Sequence, residues 1–246
     1  MSNLREVFKK YAAVVFFDTE TTGLNPETCQ IIELAAIRIE QPESGVFLAT
    51  NINDMFVKLP EGQKLPENIV SLTGITDTML ETEGAIEEEV AATFADFINP
   101  ENGPVLMVAH NAQFDLLFVR EMFRRSRSNG LEWLEAADYL DTLTVYKDRR
   151  PYPHKLENAI KAYNLEDKVE NSHRAIDDVE ALLEVCKAMD NERTDLLSYV
   201  NVFGYNPKYG ISGHNIDGVS YWPQRFNNGM QPPSQTLPER VKNGRY

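Results

Sequence analysis

The chain has 246 residues, 42% of them hydrophobic, enough for a packed core and against disorder as its default state. Its longest apolar run, residues 11–17, is far short of the ~20 residues a membrane span needs, and the first ten residues hold no apolar signal core. With only two cysteines, Cys29 and Cys186, the expected setting is a reducing cytoplasm with no membrane partner, and the formal net charge of −14 excludes a simple basic binder of polyanions.

The excess of acid lies in the first 190 residues, because residues 191–246 hold six bases against four acids. An acidic body still meets an anion where metal ions bridge the two, so composition leaves the question to the site.

In chain order, residues 12–17 form an apolar, β-branched run and predict a buried strand. Residues 31–40 and 46–59 predict two antiparallel strands joined by the turn formers at 41–45. Residues 66–72 predict a short helix with Pro66 in its first turn. Residues 85–98 place Ile86, Val90, Phe94, Phe97 and Ile98 on one helical stripe.

A strand at 105–109 follows, then an amphipathic helix at 113–125, a strand near 139–143, and helices near 156–163 and 174–188. Alternating strands and helices over residues 1–190 define an α/β layer domain. Residues 191–246, rich in Gly, Pro, Asn and aromatics, read as a turn-rich extension with room for short strands, not as a second catalytic domain, and the last fifteen or so as a loose tail.

Three short stretches carry chemistry. In Phe17-Asp18-Thr19-Glu20-Thr21-Thr22-Gly23-Leu24, period-two alternation puts Asp18 and Glu20 on one face at the end of an apolar strand. A solvated acidic strand end is the bland alternative; otherwise their repulsion calls for a divalent cation, and hard oxygen ligands suit Mg²⁺ or Mn²⁺. In His110-Asn111-Ala112-Gln113-Phe114-Asp115, the last acid falls in a helix's first turn, where the helix dipole alone would explain it. In His173-Arg174-Ala175-Ile176-Asp177-Asp178, a histidine precedes a helix whose adjacent acids point about 100° apart, so only one of them joins a given site. Gathered at one edge of a sheet, four acids and a histidine suit two-metal phosphodiester hydrolysis, in which an imidazole with ordinary pKa near 6.5 takes the proton of the attacking water.

In this order the stretches FDTETTGL, HNAQFD and HRAIDD resemble the three motifs of the DEDDh (DnaQ-like) 3′→5′ exonucleases, a family that includes the proofreading epsilon subunit and the PolC-type exonuclease domain of bacterial DNA polymerase III. Leu72-Thr73-Gly74-Ile75 and Cys29 to Ala35 resemble further elements of the family, and the resemblance covers about residues 11–190. It implies a ribonuclease-H-like α/β fold, a mixed five-stranded sheet with flanking helices. It also implies Asp18, Glu20, Asp115 and Asp178 as ligands of two Mg²⁺ or Mn²⁺, with Asp178 preferred to Asp177, and His173 as general base. Thr21, Leu24, Thr73, Asn111 and Phe114 are its implied contacts to the terminal nucleotide.

The activity so implied is stepwise release of nucleoside monophosphates from the 3′ end of single-stranded DNA, in proofreading or repair, with a DNA polymerase or helicase as a further partner. Alternatives are a 3′→5′ exoribonuclease or oligonucleotide-degrading enzyme of the same family, and a polymerase-docking module. His110 reads as a structural support for its loop, and His154 and His214 as surface residues. The basic residues Lys147, Arg149, Arg150 and Lys155, read as a Pro-rich loop, are favoured over the Arg120–Arg127 group as a strand-binding surface.

Overall fold

The strand carrying the first two acids does not stop at its last apolar residue. In a computed structural model, which describes residues 4–40, 49–169, 172–225 and 235–244, a helix α1 (Arg5–Lys10) leads into β1 (Ala13–Thr21), so Asp18 and Glu20 lie inside the strand. Pairing extends it: β2 (Ile31–Glu40) runs antiparallel along its whole length, with Asp18 opposite Ala35 and Glu20 opposite Glu33, up to a register shift after Glu20. β3 (Ala49–Phe56) runs antiparallel to β2. The turn expected at 41–45 and the start expected at 46 lie outside the described residues.

Two short helices, α2 (Glu67–Thr73) and α3 (Asp77–Glu83), precede α4 (Glu87–Ile98), and β4 (Val105–Ala109) follows. Next come α5 (Ala112–Arg125), α6 (Gly130–Ala136), β5 (Asp138–Asp141), α7 (Thr142–Arg149), α8 (Leu156–Ala162) and α9 (Ala175–Glu192). The strand order is β3-β2-β1-β4-β5, with β1, β4 and β5 mutually parallel, a mixed five-stranded sheet.

Helices cover both faces because β1 alternates between two cores. Ala13, Val15 and Phe17 pack with Phe94, Phe118 and Phe123 of α4 and α5, whereas Val14 and Phe16 pack with Val179, Leu182 and Leu183 of α9. Each such fully buried side chain stabilises the fold by roughly 1.5–3 kcal/mol. Asp18 and Glu20 continue the face that meets α9, and Thr19 the face that meets α5.

Within residues 1–190 four described helices were not legible as such: α1, α3, α6 and α7. In α7 the polar residues Thr142, Thr144, Asp148 and Arg149 are buried as fully as Val145 and Tyr146, which erases the amphipathic period. The expected Pro-rich basic loop therefore begins as helix. Arg149 is buried against Glu192 and Asp195 and donates to Met189 O, and Arg150 pairs with Glu192. Both arginines are thereby drawn toward the far end of α9.

The extension runs along the edge of the sheet. After a 3-10 turn at Leu196–Tyr199, Asn201 brackets Tyr139 of β5: its N–H donates to Tyr139 O and its Oδ1 accepts from Tyr139 N–H. A parallel pair, β6 (Val202–Tyr205) and β7 (Ser220–Pro223), sits beside β5 and so covers an edge left open for pairing. Part of the expected loose tail forms α10 (Leu237–Lys242), because the buried Asp148 carboxylate accepts from Tyr199 Oη, Leu237 N–H and Arg240. No described helix is long and apolar enough to cross a membrane.

Candidate active site

The three motifs meet beyond the C-terminal end of β4, where β1 projects past its parallel neighbour. Asp18 and Glu20 point from β1 toward α9, and Asp178 in the first turn of α9 faces them. One oxygen of each of these three carboxylates lies within 4.8 Å of the others. Asp115 enters from the opposite side, in the first turn of α5, with its Oδ1 accepting from Thr19 N–H at 3.1 Å and Thr19 Oγ1 at 2.7 Å. Thr19 is thus the link that brings the acid of α5 beside the acids of the other face, a role no motif advertised.

The electrostatics follow from crowding. Burial, then the charges of Asp115, Asp178, Glu20 and Glu33, hold the Asp18 carboxyl far above the usual carboxylate range. Burial foremost, then Asp178, pushes Glu20 up to about 8, and burial raises Asp115 to about 7 despite its two bonds from Thr19. A cluster of hard oxygen donors that resists losing its protons, with three of them close enough for one ion to reach together, fits a divalent cation, which would remove the repulsion and satisfy the donors together.

Two buried acids set this geometry without belonging to the motifs. Glu33 of β2, fully buried, accepts from Arg174 Nε and Nη2 at 2.9 and 2.7 Å and from Ala175 N–H at 2.9 Å. It therefore anchors the first residue of α9 and aims Asp178. Asp141 at the end of β5 accepts from the N–H groups of Asn111 and Ala112 and from those of Leu143 and Thr144, capping α5 and α7 at once. That double cap holds Asn111 in a left-handed turn at φ 78°. Glu33 was detectable as a charge inside the run IIELAAI, and Asp141 as an N-cap residue ahead of Thr142-Leu143-Thr144.

Glu33→Ala is expected to lower stability by about 3 kcal/mol, the low end for breaking a buried pair because Arg174 keeps 31% of its side chain in water, and part of the loss is offset by removing a negative charge from the site. Urea unfolding in chelator measures it, and an unchanged midpoint would show that Glu33 does not hold α9.

A cleft of about 810 Å³ opens beside the acids, lined by Asp178, His173, Asn111, His110, Lys147 and Lys155 among others. His173 is exposed there, in a left-handed conformation at φ 58°. His110 bridges Thr142 Oγ1 and the His154 carbonyl, at 3.0 Å each, which suits the structural part expected of it, and its burial depresses its pKa. His154, expected on the surface, is buried on this cleft with Nε2 on Arg150 O, whereas His214 is exposed and pairs with Glu27.

Of the expected nucleotide contacts, Asn111 lines the cleft. Leu24 (86% exposed) and Phe114 share a neighbouring recess of about 220 Å³. Thr21 is buried with its hydroxyl donating to Gly23 O. Thr73 is brought into neither recess: it is buried, donating to Ile69 O and accepting from Ile75 N–H at the end of α2.

A mixed five-stranded sheet with helices on both faces and acids clustered at the end of its central strand defines a ribonuclease-H-like exonuclease architecture. The exonuclease family model of RNase T type matches residues 15–186, and the chain belongs to the DnaQ-like DEDD exonuclease family, a family of nucleases. The chain is 35% identical over 179 residues to a PolC-type DNA polymerase III of Staphylococcus haemolyticus and 31% identical over 181 residues to that of Thermotoga petrophila. These matches cover 70% and 71% of the chain but only 11% and 12% of the relatives, so the chain spans about a tenth of their length.

In fold it is similar to E. coli Exonuclease I, solved in complex with a dA16 oligonucleotide (TM-score 0.65, 22% identity, 76% of this chain and 42% of that one). The same enzyme in its SSB-Ct complex gives a TM-score of 0.63 at 21% identity, over 77% of this chain and 43% of that one.

Proposed function

We propose that this chain is a divalent-metal-dependent 3′→5′ exonuclease of single-stranded DNA that releases nucleoside monophosphates. The observation that carries the reading is the meeting of Asp18, Glu20 and Asp178 within 4.8 Å, with Asp115 near Asp18, beside a cleft that Asp178 and the exposed His173 line.

Asp18, Glu20, Asp115 and Asp178 would hold two ions, Mg²⁺ or Mn²⁺. Bound there, the cations supply charge compensation for the phosphodiester and lower the barrier to water attack. The chain's residues do the remainder. The unprotonated imidazole of His173 accepts the proton of the attacking water, Asn111 and the cleft lysines Lys147 and Lys155 orient the terminal phosphodiester, and Leu24 and Phe114 hold the terminal base. The PolC-type relatives and the oligonucleotide complex of Exonuclease I support DNA as the polymer and a replication or proofreading setting, with a polymerase as a candidate partner.

The test is degradation of matched DNA and RNA strands carrying a label at the 3′ or the 5′ end. With Mg²⁺ or Mn²⁺, 3′-labelled DNA is expected to lose its label as mononucleotide at once, while 5′-labelled DNA shortens in a ladder. Rapid cutting of a closed circular single strand would sink the exonuclease assignment, and faster loss from RNA would move the substrate to the ribonucleic side.

A further inference from the structure

The residues matched by the family end at 186, yet the cleft beside Asp178 has a wall built from the extension: Asn206 and Tyr209 line it together with Tyr152, His173 and Asp178. Among the described residues, Tyr152 (55% exposed) and Tyr209 (75%) are the only aromatic rings among the exposed large hydrophobic side chains, and both lie on this one cleft. Exposed rings cost solvation without packing in return, and their coincidence on a single recess marks a surface for a ligand with flat apolar faces.

Tyr209 is presented by a pinned turn. Asn206 Oδ1 accepts from Lys208 N–H, Asn206 O accepts from the N–H groups of Tyr209 and Gly210, and Gly210 turns the chain at φ 75°. On the near side, Gly204 N–H donates to Thr144 Oγ1 at 2.8 Å, and that hydroxyl donates to the Asp141 carboxylate that caps α5. On the far side, Gln113 of the second motif donates to Ser212 O and His214 O and accepts from Tyr221 Oη. The turn is therefore keyed at both ends to the elements that carry Asn111 and Asp115, so little ordering entropy remains for a ligand to overcome.

Charge completes the picture: Lys147 and Lys155 line the same cleft, and Lys208 Nζ lies 4.9 Å from the Tyr209 ring centre.

We infer that Tyr209, with Tyr152, forms a stacking platform for unpaired nucleobases next to the scissile nucleotide, so that residues 191–246 are a substrate-binding part of the 1–190 domain. The inference rests on the nuclease reading above and deepens it: the platform requires a single strand, because paired bases do not offer their faces. Stacking is blind to the sugar, so the platform serves DNA and RNA strands alike.

The test uses the full chain and a 5′-fluorescein single-stranded oligodeoxynucleotide whose 3′-terminal linkages are phosphorothioates, which block turnover. The strand is made with normal bases, or abasic at the second to fourth nucleotides from its 3′ end. Tyr209→Ala is expected to raise Kd about 5- to 100-fold on the normal strand, the effect of losing one base–aromatic stack, and to change little on the abasic strand. Tyr152→Ala behaves in the same direction, and Tyr209→Phe, which keeps the ring, recovers most of the affinity.

Equal losses on both strands, or no loss on either, overturn the platform. Because wild-type hydrolysis of the unmodified strand is measured alongside, hydrolysis with an indifferent Tyr209 overturns the platform alone. A wild-type chain that neither binds nor hydrolyses any strand overturns the nuclease reading with it.

Discussion

Asp178→Asn is expected to reduce hydrolysis by roughly 10³-fold or more, because a carboxylate aimed at a catalytic cation contributes several kcal/mol to stabilising charge in the transition state. The substitution keeps the shape of the side chain in the first turn of α9, and the anchor of that turn, Glu33 on Ala175 N–H, is untouched. Loss of activity should therefore come without loss of fold. Wild-type turnover in excess chelator, or an Asp178→Asn enzyme of near-normal rate, would remove the metal-directed cluster from the mechanism.

The same cluster makes a second readout available in the absence of metal. Its carboxyls titrate higher in the fold, about 8 for Glu20 and about 7 for Asp115, than the ordinary value near 4 of an unfolded chain. Between about pH 4 and pH 8 the metal-free fold thus binds more protons than the unfolded chain, and its stability falls as pH rises through that window. Asp18→Asn removes from the centre of the cluster a carboxyl that burial and its neighbours hold far above its ordinary value. In chelator its Tm is expected to exceed that of the wild type by a margin that grows from about pH 5 to about pH 8, and added Mg²⁺ should reverse the order. A margin independent of pH would mean that neither burial nor repulsion raises the Asp18 carboxyl in the folded chain.

His173→Ala is expected to lower kcat by roughly 10²–10⁴, the range for losing general-base assistance. The residue is suited to the part by its placement. It is exposed on the cleft that holds Asp178, five residues ahead of it, whereas His110 is half-buried and His154 buried, with ring nitrogens engaged by Thr142 Oγ1 and the His154 carbonyl in one case and the Arg150 carbonyl in the other. Metal binding, followed by the Mg²⁺-induced rise in Tm, should survive the substitution. A variant that keeps the wild-type rate under saturating metal would exclude His173 as the base.

The class of fold and the acids that come together were legible because each motif is local. Asp18 and Glu20 share a face by the two-residue period of a strand, and Asp115 and Asp178 each sit near the start of a helix, Asp178 in the first turn where the second was expected. What aims them was not legible, because it is made of contacts between distant parts of the chain. Glu33 and Ala175 are 142 residues apart, Thr19 and Asp115 are 96 apart, and Asp141 reaches back 30 residues to Asn111. None of these pairs leaves a periodic trace.

Burial of polar groups misled in the same way. Arg149 and His154 read as surface residues by type, but tertiary partners satisfy them inside, Glu192 and Asp195 for the first and Arg150 O for the second. The course of the extension was decided at this level: the Asn201 side chain accepts from Tyr139 N–H on β5, and the Gln113 side chain donates to Ser212 O and His214 O, main-chain partners that any residue carries. Every segment offers such main-chain partners, and which one a side chain meets depends on where the segments come to lie, so only the assembled fold could place Tyr209 on the cleft.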